Sequence, residues 1–164
     1  MTTRPPNSYT VEVKLRPDFP DAEGQAALSL LQGLGLSAAR DCRTSRLYEL
    51  RGALNSGHAQ QIARDLLCDP VTQEFRLASA HEPVLNGMTH WRVEVWLKPS
   101  MTDTVGDTVR SAIGEMGLPQ PDSVRVGTAF LLSGKCHRNQ LEKLISRGLA
   151  NPVIHRFTVS ETHP

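Results

Sequence analysis

The chain contains 164 residues, enough for one medium domain or two small ones. Its 18 basic and 17 acidic residues are scattered and give a net charge of +1, which argues against binding to nucleic acid or to an anionic membrane. The three cysteines show no paired spacing, and no apolar run approaches the roughly 20 residues that cross a bilayer, so a cytoplasmic protein is expected.

The first half of the chain begins with an alternation of apolar and polar residues over residues 9–15, which predicts a half-buried strand. Asp21 is placed to cap a helix that Gly35 ends. A β-prone run over residues 42–50 follows, and its break near Ser45 predicts a tight hairpin or a bent double strand. A second amphipathic helix and an alternating last strand complete the order β-α-β-β-α-β.

The second half repeats the first at a constant offset of 82 residues, without a gap. The offset aligns identical residues along both halves: Val11 with Val93, Asp21 with Asp103, Gly24 with Gly106, Arg43 with Arg125, Gly52 with Gly134, Pro70 with Pro152, Val71 with Val153 and Phe75 with Phe157. A register held from end to end indicates a tandem duplication. We predict repeat 1 over residues 9–79, a linker over residues 80–90 and repeat 2 over residues 91–160.

The element order of each repeat is typical of a ferredoxin-like unit, in which an antiparallel sheet carries both helices on one face. The predicted fold is therefore α+β, with two tandem units packed as a pseudo-dimer with antiparallel sheets. Each sheet then has a helix-free face that needs cover. Trp96 falls on that face, and two interpretations remain open: packing against the other repeat, or contact with another protein.

Motifs for chemistry are sparse. The six histidines form no HxxxH or HExxH pair, and no P-loop, GxSxG or GxGxxG motif occurs. Cys136-His137 is best explained as a surface coincidence, and His155 as a partly buried histidine with its hydrogen bonds satisfied. The Asp-x-x-Gly that starts the first helix of each repeat favours capping and a close helix contact over an anion site. No metal site is predicted.

Four segments carry a family resemblance. They are the VxVxLxP strand (residues 11–17 and 93–99), the Asp-x-x-Gly helix start, the strand at residues 124–127 and the Asn-Pro-Val-Ile segment at residues 151–154. By these segments each half resembles PurS, the small subunit of phosphoribosylformylglycinamidine synthase in bacteria and archaea. The repeats depart from the family pattern where Gln73 and His155 replace an acidic residue, and where Thr128 and Leu131 stand for Lys and Glu.

The resemblance implies a covalent form of a dimer that bridges a glutaminase subunit of PurQ type and an ATP-dependent synthetase subunit of PurL type. It implies a non-catalytic chain that assembles the complex converting formylglycinamide ribonucleotide to the amidine and helps ammonia pass between active sites. ATP, Mg and glutamine would be used by the complex, with no cofactor on this chain. Further homo-oligomerisation is left open.

Ten residues are expected at structural or contact positions: Asp21, Gly24, Arg43, Trp96, Asp103, Gly106, Arg125, Gly127, Asn151 and Pro152. No catalytic residue is assigned. The alternative function is a tandem ACT-like regulatory domain that binds an amino acid at a glycine-bearing loop. Gly24 and Gly106 disfavour it, because they fall inside the helix start.

Overall fold

The computed structural model describes residues 7–78 and 90–162, in which each repeat has three strands and two helices. Repeat 1 contains β1 (Asn7–Leu15), α1 (Ala22–Gly33), β2 (Ala39–Gly52), α2 (Ser56–Ile62) with a π-helical continuation (Ala63–Leu67), and β3 (Gln73–Ala78). Repeat 2 contains β4 (His90–Leu97), α3 (Thr104–Glu115), β5 (Ser123–Gly134), α4 (Arg138–Gly148) and β6 (His155–Thr162). Apart from residue 90 in β4, the linker predicted over residues 80–90 lies outside the described residues.

All six strands form one antiparallel sheet in the order β3-β1-β2-β5-β4-β6. The central pair β2–β5 joins the two repeats and extends from Ala39↔Gly134 to Arg51↔Ser123. The α+β class and the pairing of two like units are confirmed. Among the described helices, none is long and apolar enough to span a membrane.

The strand break predicted near Ser45, and at its equivalent Gly127, is wrong, because β2 and β5 run unbroken through these residues as strands of 14 and 12 residues. The order of each repeat is therefore β-α-β-α-β, with three strands instead of the predicted four. Each long strand pairs along its length with the other repeat, and its C-terminal part pairs with the first strand of its own repeat. The small residues serve close approach instead of a turn: Ser45 binds Glu12, and Gly127 lies under Trp96.

The register of the central pair reveals a local two-fold axis. Arg46 pairs with Thr128, and these positions are equivalent in the two repeats, since they are 82 residues apart. On either side of this pair, Leu50 pairs with Val124 and Cys42 pairs with Leu132. Leu50 is equivalent to Leu132 and Cys42 to Val124, so the offset of 82 converts one pair into the other. The repeats therefore meet through an isologous contact, as the subunits of a two-fold dimer do.

The hydrophobic core consists of two clusters, and each cluster takes residues from both repeats. In the first, Leu31 of α1 packs among Val93, Phe130 and Ile145 of repeat 2. In the second, Ile113 of α3 packs among residues of repeat 1, namely Val11, Val13, Leu50, Leu54, Ile62 and Ala63. The first helix of each repeat thus completes the core of the other repeat.

Candidate functional site

The structure does not bring the ten predicted residues into one site. It places them in matched helix caps, in two strand anchors, on the helix-free face of the sheet and in one turn. The last three of these locations lie outside the two cores.

The two Asp-x-x-Gly segments form helix caps that are tied to the central strands. Asp21 accepts hydrogen bonds from the amide of Gly24 at 2.8 Å and from the amide of Thr44 in β2 at 2.6 Å. Asp103 accepts equivalent bonds from Gly106 and from β5, both at 2.8 Å. Both aspartates are buried. The capping prediction is confirmed, because these carboxylates occupy the amides that an external anion would need.

Gly24 and Gly106 bring each helix start against strand backbone. A Cβ atom at Gly24 would overlap the carbonyl oxygen of Cys42, and one at Gly106 would overlap that of Val124. The close helix contact predicted for these glycines is therefore present. An ACT-like amino-acid site would need an open loop here, and the glycines instead face packed backbone.

Arg43 and Arg125 anchor the loop that joins the first strand to the first helix. Arg125 donates to the carbonyl oxygens of Lys98 at 2.8 Å and Met101 at 3.1 Å. Arg43 donates to the carbonyl of Phe19 at 3.4 Å in the equivalent loop of repeat 1. Both arginines hold main-chain carbonyls within their own repeat.

The turn before β6 is built by Asn151 and Pro152. The Asn151 side chain accepts a hydrogen bond from the main-chain amide of Val153 at 3.0 Å, and the main-chain amide of Asn151 donates to Nδ1 of His155 at 3.0 Å. His155 is partly buried, as predicted, and its Nδ1 has a main-chain hydrogen-bond partner.

The cysteine and histidine side chains of the described residues do not form a cluster. Cys136 packs against the first core cluster. Arg138, next to His137, donates a hydrogen bond to the carbonyl of Val159 in β6. Val159 is four residues, or about 13 Å along the strand, from His155, so His137 and His155 lie near different parts of β6. Burial, and then the neighbouring acidic groups, raise the pKa of the buried Cys42 thiol to about 12. Within residues 7–78 and 90–162, no group of three potential metal ligands occurs.

The helix-free face carries an ion-pair cluster centred on Glu12. Its carboxylate accepts hydrogen bonds from Ser45 Oγ at 2.6 Å, from Arg76 at 2.9 and 3.1 Å, and from Arg92 at 3.0 and 3.1 Å. Arg92 also donates to Glu94 at 3.1 Å. Because Arg92 belongs to repeat 2, this cluster connects the two repeats across the open face.

The charges of the cluster reinforce one another. Burial by itself would raise the pKa of Glu12, but the hydrogen bonds and charge of Arg92, with the bonds from Ser45 and Arg76, lower it to about 2. Burial would lower the pKa of Arg92, yet Glu12 and Glu94 raise it. The pair therefore stays ionised throughout the neutral range.

The open face is not symmetric. On the repeat 1 side, a pocket of about 580 Å³ lies beside Glu12 and is lined by charges of both signs: Lys14, Asp41, Arg43, Glu74, Arg76 and Arg92. On the repeat 2 side, the Trp96 ring covers Gly127, where a Cβ atom would lie 2.6 Å from the ring. Trp96 thus packs within the molecule, against its own repeat, and stays partly exposed.

Sequence reasoning missed the three main members of the cluster, Glu12, Arg76 and Arg92. One signal was available: Glu12 and Glu94 are identical at the repeat offset, on a strand face where most paired positions differ. Arg92 stands two residues from Glu94 on the same strand face. The hydrogen bonds between Glu12 and Arg92 join residues 80 apart in the chain. They depend on how the two repeats pair, which cannot be read from the sequence.

A family model matches each of the two repeats separately. The PurS family model, described as phosphoribosylformylglycinamidine (FGAM) synthase, matches residues 8–80 and again residues 90–162. Among solved structures, this chain is similar to Methanocaldococcus jannaschii PurS, one of the subunits of formylglycinamide ribonucleotide amidotransferase in the purine biosynthetic pathway. That match has 22% identity and a TM-score of 0.39, and it covers 47% of this chain and 99% of that chain. The comparison with curated proteins gives no match.

A first prediction concerns the two glycines of α1. Replacing Gly24 with Ala should lower the free energy of unfolding by about 1–3 kcal/mol, because the new methyl group would overlap strand backbone. Gly33→Ala is the matched control, since a Cβ there meets nothing within 4 Å; it should stabilise the protein by about 0.5–1 kcal/mol. Urea unfolding measures both. Equal effects of the two substitutions would contradict the close helix contact.

A second prediction concerns Glu12. Because its pKa is about 2 in the folded protein against 4.5 ordinarily, its stabilisation is complete above about pH 5 and is lost as the pH falls towards 2. Glu12→Gln should therefore lower the free energy of unfolding at pH 7 by about 3 kcal/mol and by much less near pH 2. Glu74→Gln, in a more exposed pair with Lys14, should cost less than about 1 kcal/mol. A pH-independent loss in Glu12→Gln would refute the ion-pair assignment.

Proposed function

The chain belongs to the PurS family of FGAM synthase, and we propose that it is a non-catalytic subunit that holds two other subunits of that enzyme together. Its place in FGAM synthase and purine biosynthesis follows from the family. The partners we propose are a glutaminase subunit of PurQ type and an ATP-dependent synthetase subunit of PurL type.

The observation that carries this proposal is the shared architecture of the repeats. One continuous sheet and two cores built from both repeats make the duplicated chain a single body with two related sides. A body of this kind can present equivalent features to two partners at a fixed separation, as the dimer implied by the family resemblance would.

The ordered polar groups of the chain also support a structural role. Asp21 and Asp103 cap helices, Arg43 and Arg125 hold loop carbonyls, and Glu12 is neutralised by its arginine partners. These groups stabilise the fold, so we assign none of them to catalysis. ATP, Mg and glutamine would accordingly be bound by the partner subunits.

Holding two active sites in register has a chemical purpose in a glutamine-dependent enzyme. Ammonia released from glutamine that escapes into water is protonated and stops being a nucleophile, so transfer within a closed complex preserves it. The fused form removes one assembly step, because the linker keeps the second repeat at a high effective concentration near the first.

The third prediction separates assembly from chemistry. Purified synthetase and glutaminase subunits are assayed for amidine formation with and without this chain, using either glutamine or a saturating ammonium salt as nitrogen source. The chain should raise the glutamine-dependent rate at least tenfold and change the ammonium-dependent rate less than twofold, because only the first requires the assembled complex. An equal effect on both rates, or on neither, would contradict the bridging role.

A further inference from the structure

Two exposed valines stand out among the residues that the repeats share. Val71 and Val153 are equivalent at the offset of 82, and their exposed fractions are 72% and 73%, the highest among the large hydrophobic residues of the described chain. Most other identical pairs have a visible structural reason, as caps, close-packed glycines, anchors or core residues. Neither valine belongs to a core cluster.

Both valines are held outward by the same rigid turn. In repeat 1, Asp69 Oδ1 accepts hydrogen bonds from the amides of Val71 at 2.8 Å and Thr72 at 3.4 Å, and its backbone oxygen accepts from Gln73 at 2.9 Å. The proline before each valine further restricts the backbone. Asn151 takes the place of this aspartate in repeat 2. Its Oδ1 accepts from the amide of Val153 at 3.0 Å, and its backbone oxygen accepts from the amides of Ile154 at 3.0 Å and His155 at 2.7 Å.

A β-branched apolar residue is a poor choice for such a turn, where Gly, Asn, Asp and Ser are preferred. Leaving the side chain in water also forgoes the free energy of burying it. Its retention in both repeats, in a pre-organised position, is expected of an anchor that becomes buried in a partner.

The surroundings of the two valines differ in charge. Residues 69–74 of repeat 1 include two carboxylates, Asp69 and Glu74, whereas residues 151–156 of repeat 2 include none and have Arg156 instead. Basic residues next to both turns, Arg16 and Lys98, are equivalent and do not distinguish them. Lys14 pairs with Glu74 at 3.5 Å, so the first turn is charge-balanced and the second is basic.

From these observations we propose that Val71 and Val153 are the anchors by which the chain contacts two different subunits of FGAM synthase. The Val153 turn fits an apolar pocket rimmed by carboxylates, and the Val71 turn fits an apolar pocket without a strongly acidic rim. The two anchors lie next to opposite edge strands of the sheet, β3 and β6, so each meets a separate surface. This inference rests on the proposed bridging function and names the contacts that perform it.

The test measures the affinity of the full-length chain for each purified partner subunit, as parent and as Val71→Ser, Val153→Ser and Val105→Ser. Val105 is the matched control, because it is an exposed valine in α3 whose equivalent in repeat 1 is Glu23. Each of the first two substitutions should weaken binding to one partner at least tenfold and to the other less than twofold, with the two partners exchanged. Thermal unfolding of all variants should match that of the parent, since the side chains are exposed.

A second substitution tests the charged rim. Arg156→Gln should weaken binding to the partner that Val153→Ser affects, and should flatten the salt dependence of that affinity. Loss of affinity for the same partner in both valine variants, or affinities within twofold of the control, would overturn the proposal while the parent still binds both subunits. A parent chain that binds neither subunit would instead refute the bridging function itself.

Discussion

The structure depends on the sharing of each hydrophobic core between the two repeats. Leu31 of repeat 1 is buried among residues of repeat 2, and its equivalent Ile113 is buried among residues of repeat 1. A lone unit of about 70 residues buries only about 60% of its extended surface, and here it would also lose a helix contact and the central strand pair. The two repeats are therefore stable as a pair, and their covalent fusion keeps them together.

Fusion also allows the two repeats to diverge where a symmetric dimer could not. The caps, the glycines at the helix starts and the anchoring arginines are retained in both, because each repeat needs them to place its helices. The open face has diverged: Glu12 with Arg92 occupies one side, and Trp96 over Gly127 occupies the other. Fusion lets each side of the open face acquire its own substitutions, and the unlike charges around Val71 and Val153 are a second example of this divergence.

Much of this architecture could be predicted from the sequence, because its causes are local. Asp21 and Gly24 predict a capped helix that packs closely against a neighbouring strand, and the constant offset indicates the duplication. The unbroken central strands could not be predicted, because Ser45 and Gly127 look like turn residues until Glu12 and Trp96 are placed above them. The bond between Glu12 and Arg92 joins residues 80 apart, and only the pairing of β2 with β5 makes it possible.

Differential scanning calorimetry of the whole chain shows whether the two repeats unfold as one cooperative body. Shared cores predict a single transition in which the calorimetric and van't Hoff enthalpies of unfolding are equal. Two resolved transitions, or a van't Hoff enthalpy near half of the calorimetric value, would show that the repeats unfold independently and that the shared cores do not couple them.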